Sequence, residues 1–128
     1  MITNDRGDKL AQHKVYFSRN DNNGQQFKSL SDVIDYVKPT MLMGLSTIRG
    51  VFDESILRKM AKLNKDPIIF PLSNPSSNAE CTFEEAIKFT DGRAIFASGS
   101  PFQPYLFKGN VYVPSQGKYV SRIDPSLL

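Results

Sequence analysis

Residues 66–102, DPIIFPLSNPSSNAECTFEEAIKFTDGRAIFASGSPF, constrain this chain more than any other part of it. Two short apolar runs, 67–72 and 94–97, each end abruptly in small polar residues, Ser-Asn-Pro and Ser-Gly-Ser-Pro. One helix-length amphipathic segment separates them. Strand, polar loop, helix, strand, polar loop is the rhythm of a parallel α/β sheet. In such sheets ligands bind beyond the carboxyl ends of the strands, where these two loops converge.

The rhythm extends upstream. Residues 41–45 read as a buried strand, with Gly44 leaving room for a close backbone or ligand, and 46–50 as the loop after it. A helix is predicted over 53–64. Phe52, Ile56, Met60 and Leu63 form its apolar stripe, with Asp53 and Glu54 at its start and Lys59, Lys62 and Lys65 near its end. Thr82 and Glu85 have capping-box spacing and open a second helix to about Thr90, which Gly92 ends in a left-handed turn. Predicted strands at 41–45, 68–72 and 94–97 therefore form one parallel sheet with crossover helices. Residues 105–107, Lys108-Gly109-Asn110 and 111–113 suggest a C-terminal β-hairpin. Before the sheet, Ser29 or Ser31 caps a short helix with Leu30, Val33, Ile34 and Val37 on one face, and Pro39 stops it. The domain plan is a polar lead-in over 1–28, the α/β body over 29–120, and a tail over 121–128.

Length and composition fit one globular domain: 128 residues, 40% hydrophobic and 23% charged. A net charge of +3 spread over 16 basic and 13 acidic residues is weak support for nucleic acid. The Lys/Arg cluster at 58–65 reads first as a solvated helix face and second as a phosphate or nucleic-acid patch. A lone cysteine, Cys81, excludes an internal disulfide and a cysteine zinc cluster; it reads as a small packed residue rather than a reactive thiol. No signal peptide or membrane-spanning run is present, which points to a soluble chain in the cytoplasm. A mitochondrial address stays open, because the natural N-terminus can lie upstream.

Asn74 is the leading site candidate. A side-chain amide at a strand end offers two donors and an acceptor, matching a substrate carboxylate or the carboxamide of nicotinamide. The bland alternative is a turn to its own backbone, common for Asn before Pro. The Ser98-Gly99-Ser100-Pro101 loop reads equally as a tight turn or a contact loop. His13, the one histidine, lies in a polar segment with no paired acid or cysteine nearby and reads as exposed rather than catalytic. Asp53-Glu54 and Glu84-Glu85 read as helix-start acids rather than metal ligands. No Gly-x-Gly-x-x-Gly, His-Glu-x-x-His or Gly-x-Ser-x-Gly occurs, and Gly117-Lys118 is followed by Tyr119 where a Walker loop needs Ser or Thr. Bare residue types thus yield no catalytic residue and no metal ligand.

Val37-Lys38-Pro39-Thr40, Gly44-Leu45-Ser46-Thr47, the Pro-Leu-Ser-Asn-Pro at 71–75, Ala79-Glu80-Cys81 and the Gly-Arg-Ala-Ile-Phe-Ala-Ser-Gly-Ser-Pro-Phe at 92–102 occur in an order and spacing that resemble the nicotinamide-binding domain of malic enzymes. The likeness runs from about Arg6 to Val120. It implies a partial Rossmann-like α/β fold, the second half of an NAD(P)-binding domain, and a fragment of a longer enzyme. It further implies oxidative decarboxylation of malate to pyruvate and CO2 with reduction of NAD or NADP, a divalent Mn or Mg ion, and full-length relatives that are homo-oligomers. Carried over by position, Asn74 resembles the loop asparagine that contacts malate and the nicotinamide end of the cofactor. Leu72 and Ser73 resemble the strand end beside it, and Leu45 and Ser46 the strand end along the dinucleotide path. The family's catalytic tyrosine and lysine, its acidic metal ligands and its glycine-rich phosphate loop have no counterpart here, so this piece is expected to be inactive alone.

Two departures stand out. Arg49-Gly50 replaces a Gly-Gly, and Gln116-Gly117-Lys118-Tyr119-Val120 lacks an asparagine pair that helps hold malate. The other reading is a non-catalytic module that binds a nucleotide, or a partner subunit through an exposed sheet edge. Neither reading involves nucleic acid or a membrane.

Overall fold

The computed structural model describes residues 1–5 and 10–116; the departure at 117–120 and the tail at 121–128 lie outside the described residues. Two compact units divide at Val37 and Lys38.

The first unit, Met1–Val37, carries α1 (Gln12–Val15) and α2 (Leu30–Val37). It is organised by polar contacts and one ring pair: Thr3 bridges Arg19, the Asn22 side chain donates to Asp5 and to the Gln25 carbonyl, and Phe27 packs on Tyr36. Ser29 and Asp32 cap α2 reciprocally, the Ser29 Oγ accepting from the Asp32 amide and the Asp32 carboxylate from the Ser29 amide. Of the four apolar residues expected on one face of α2, Ile34 is buried and Val37 at the helix end is exposed. His13 lies exposed on α1.

In the second unit β1 (Met41–Gly44), β2 (Ile68–Pro71) and β3 (Ile95–Ser98) are parallel neighbours in that order, joined by α3 (Glu54–Leu63) and α4 (Phe83–Phe89). Each expected strand and helix is present, shifted by one or two residues at its ends. A short strand not foreseen, β6 (Ser115–Gln116), pairs in parallel with β3. Between them β4 (Tyr105–Phe107) and β5 (Asn110–Tyr112) form the expected antiparallel hairpin. Its turn puts Lys108 and Gly109 both at positive φ, the backbone twist that tight hairpins require.

Successive crossovers stepping one way across a parallel sheet put their helices on the same face, and α3 packs against α4. Register then decides burial. Leu42, Ile69 and Phe96 are partners in one row, all buried, and Phe83 of α4 meets Phe96 with ring centroids 5.0 Å apart. Leu57 and Met60 of α3 and Ala86 and Ile87 of α4 complete the core. Residues 41–45 were expected to be buried throughout, and here the structure corrects the sequence. Met41 and Met43 are 39% and 53% exposed, because β1 is the edge strand and these side chains alternate away from the helix-covered face. The α3 stripe is corrected as well: Leu57 joins Ile56 and Met60 in the core, whereas Leu63 is exposed.

The capping box is made as expected, and Asp53, expected as a helix-start acid, serves also as a side-chain cap. Asp53 accepts from the Ile56 amide at 2.9 Å, and Thr82 and Glu85 form a complete capping box. Asp91 and Gly92, both at positive φ, end α4. The Arg93 guanidinium then donates to the carbonyls of Ala61, Asn64 and Lys65, sealing the last turn of α3.

Candidate functional site

Because β1, β2 and β3 run parallel, their three following loops leave the sheet on one edge. Backbone contacts bring those loops very close. The Leu72 amide donates to the Gly44 carbonyl at 2.9 Å and the Gly99 amide to the Pro71 carbonyl at 3.3 Å. A Cβ on Gly99 would lie 2.2 Å from the Leu72 carbonyl oxygen, so only glycine fits where the third loop crosses the second.

Glu80 lies at the centre of this edge, in the stretch between the 3-10 turn Ser76–Asn78 and α4, and it is fully buried. Its Oε1 accepts from the Ser73 hydroxyl at 2.5 Å, the Ser46 amide at 3.0 Å and the Ser46 hydroxyl at 3.4 Å; its Oε2 accepts from the Ser73 amide at 3.4 Å. The Ser73 Oγ in turn accepts from the Thr47 amide at 2.9 Å. One carboxylate therefore ties the loop after β1 to the loop after β2. Burial pushes its pKa up, but hydrogen bonds from the Ser73 hydroxyl and from the amides of Glu80 itself, Ser46 and Ser73 outweigh burial and hold it below the usual carboxylate value, so the group is ionised at neutral pH. Gly44 makes room for this side chain, since a Cβ there would lie 2.4 Å from the Glu80 Cδ.

The second and third loops are joined through Ser100, which is buried. Its hydroxyl is 3.1 Å from the Asn74 Oδ1 and 3.4 Å from the Ser73 carbonyl. The Ser98 hydroxyl donates to the Ser100 carbonyl at 2.7 Å. Asn74 itself is exposed and precedes a cis peptide bond to Pro75. Its oxygen is engaged by Ser100 across the loops, and its Nδ2 donors have no partner among the described residues.

The structure thus places the five residues singled out from the sequence as follows. Ser46, Ser73 and Asn74 are drawn together by Glu80 and Ser100. Leu72 lies half-buried under Gly99, and Leu45 points outward, 70% exposed. Sequence reasoning assigned Glu80 no role, and Ser100 only a place in the small-residue loop at 98–101. A signal existed for Glu80: an acid between a polar turn and a capping box, with no basic neighbour and a glycine at a preceding strand end to receive it. Cys81 next to it is buried, and burial together with the charges of Glu85 and Glu80 pushes its thiol far up, which makes it an inert packed residue.

Among the described residues no group of His, Cys, Asp and Glu could hold a metal ion. No helix among them is long and apolar enough to cross a membrane.

In an open parallel α/β sheet, loops beyond the carboxyl ends of the strands such as these are where ligands bind. Comparison with known proteins gives the family. The family model "Malic enzyme, NAD binding domain" matches residues 1–121. The NADP-dependent malic enzyme of Dictyostelium discoideum is 51% identical over 91% of this chain and 21% of its own length. The mitochondrial NAD-dependent malic enzyme of Ascaris suum is 44% identical over 91% of the chain and 18% of its own. The human NADP-dependent malic enzyme is 48% identical over 84% and 18%. The chain belongs to the malic enzyme family, within its NAD-binding domain, and spans about a fifth of the length of these relatives.

Proposed function

We propose that this chain serves the oxidative decarboxylation of malate to pyruvate and CO2 with reduction of NAD or NADP, and that its strand-end loops receive the nicotinamide end of the cofactor. The observation that carries the reading is the orientation of Asn74. With its oxygen engaged by Ser100, the amide presents donors outward from the edge where the three loops meet. Donors there suit the carboxylate of malate or the carboxamide oxygen of nicotinamide. Leu45, Ser46, Leu72 and Ser73 follow the dinucleotide on either side. When bound, the nicotinamide supplies the acceptor for the hydride of malate C2; the chain's own part is to bind and orient. The family's divalent Mn or Mg ion is assigned no ligand among the described residues. By themselves the 128 residues are proposed not to turn malate over, since a positioned general base alone is worth about 10²–10⁴-fold and no residue here is assigned that role. The compartment proposed is the cytoplasm, with the mitochondrial relative from Ascaris suum supporting the organelle as the alternative.

The test is titration of NAD and NADP against wild type and Asn74→Ala, with a turnover assay in malate and Mn. Weak binding that Asn74→Ala abolishes, without cofactor reduction, is expected. Tight binding indifferent to Asn74→Ala would refute the role of Asn74, and metal-dependent reduction by the purified chain would refute its inactivity.

A second reading, a non-catalytic module that docks a subunit along β1, draws on the exposed Met41 and Met43 at the sheet edge. Concentration-dependent self-association that Met43→Asp abolishes would favour it over cofactor binding.

A further inference from the structure

We propose that Glu80 is a positioning residue for cofactor binding: its buried carboxylate holds the loops after β1 and β2 in one arrangement and thereby sets where Asn74 stands. The inference rests on the reading of these loops as the cofactor edge. Three observations converge on it. First, the donors that other residues bring to the carboxylate come from Ser46 and Ser73, one on each loop, and none is a basic side chain. A charge buried only to stabilise the fold is usually matched by an opposite charge; this one is matched by loop hydroxyls and amides. Second, Thr47, in the loop after β1, sits at φ 56°, a left-handed conformation that a β-branched residue rarely adopts. Its amide is held on the Ser73 Oγ, the same oxygen that donates to Glu80. Strained backbone persists where surrounding contacts over-determine it, and it clusters at ligand sites. Third, Ser73 precedes Asn74 directly, and Ser100 bonds both the Ser73 carbonyl and the Asn74 side chain. The chain of contacts from Glu80 through Ser73 to Asn74 has no gap.

Glutamine in place of Glu80 keeps the size and leaves one oxygen for Ser73 and Ser46. It sets an amide donor against the Ser73 amide, also a donor, so the loop after β2 must shift. A misplacement of about 1 Å can cost up to ~10²-fold in a positioned site, and a loss of roughly tenfold is expected here.

The experiment uses the isotope-labelled 128-residue chain, as wild type, Glu80→Gln and Ser73→Ala, with NADP and NAD as probes. In Glu80→Gln the backbone amides of Ser46, Thr47 and Ser73 and the side-chain amide pair of Asn74 should shift, while the amides of Ile56 and Met60 stay in place. NADP affinity should fall about tenfold, more than any fall in thermal midpoint accounts for. An unmoved Asn74 side-chain amide, or unchanged affinity in a variant of lowered stability, would make Glu80 a fold residue only and overturn the proposal. If Glu80→Gln does not fold, Ser73→Ala cuts the chain of contacts at its middle and is judged by the Thr47 and Asn74 amides in the same way. If wild type binds neither dinucleotide, the cofactor reading of the loops falls, and the Asn74 amide shift alone decides whether Glu80 positions it.

Discussion

The core under the helix-covered face of the sheet and the polar centre of its loop edge are both buried, by opposite means. Ile69, Met60 and Leu57 are sealed by apolar contact, and Glu80, Ser98 and Ser100 by hydrogen bonds. Apolar contact is non-directional and scales with area, so the face tolerates exchange among residues of similar volume. Hydrogen bonds are directional, and a buried group that loses its partner bears its full desolvation cost. The face therefore sets how stable the unit is, and the edge sets where particular atoms stand. If the division is real, mutations on the two sides should separate stability from loop geometry.

The largest stability effect belongs to the face. Leu57 is fully buried on α3, and Leu57→Ala removes its contacts and leaves a cavity, costing about 2–5 kcal/mol. Denaturant unfolding should show this, and the amides of Ser46 and Ser73 should be unmoved in the folded fraction. Loop amides disturbed as strongly as in Glu80→Gln would break the comparison.

Next comes Gly99→Ala, at the point where the two kinds of region touch. The Cβ meets the Leu72 carbonyl oxygen, backbone that cannot swing aside, so about 1–3 kcal/mol is expected. Unlike Leu57→Ala it should also move Ser100 and the Asn74 amide that Ser100 holds. A variant that loses stability without moving Asn74 would show that the third loop is coupled to the edge by packing alone.

The same division explains how much could be read from the residues. The parallel strands, both crossover helices and the hairpin were legible because hydrophobic period, caps and turn residues are local signals; Asp53, Thr82 with Glu85, and Lys108-Gly109 each act within a few residues of themselves. β6 was not, since two residues carry no period and pair only because β3 lies beside them. The outward face of β1 was misread because a continuous apolar run does not say which of its faces is covered. At the candidate site, Asn74 stands out by its place at a strand end, and Ser46 and Ser73 only through the malic-enzyme wording; their meeting at one loop edge is what the structure adds. The part played by Glu80 could not be named in advance, because its partners Ser46 and Ser73 lie 34 and 7 residues away and meet it only once the sheet has formed.

The smallest effect is the pH dependence of the edge, and it isolates Glu80 from the exposed acids. The folded-state pKa of Glu80 is lowered from its ordinary value of 4.5. A depressed carboxylate pKa adds stability that is fully present above the unfolded value and is lost as pH falls through the folded one. Asp5, Asp21 and Asp91 are lowered in the same direction by hydrogen bonds from Thr3, Arg19 and Lys108 respectively, so acid destabilises wild type through all four groups. In Glu80→Gln only the first contribution is missing. The difference in thermal midpoint between wild type and Glu80→Gln should accordingly be constant from neutral pH down to about 5, then shrink as the solution is taken below 4.5 and the wild-type carboxyl takes up its proton. The loop amides should follow the same course in wild type, with those of Ser46 and Ser73 moving together on acidification while Met60 and Ile69, in the apolar core, stay in place. A midpoint difference that persists undiminished in acid would mean that shape rather than charge at Glu80 holds the loops, and would return the edge to the same non-directional packing as the face.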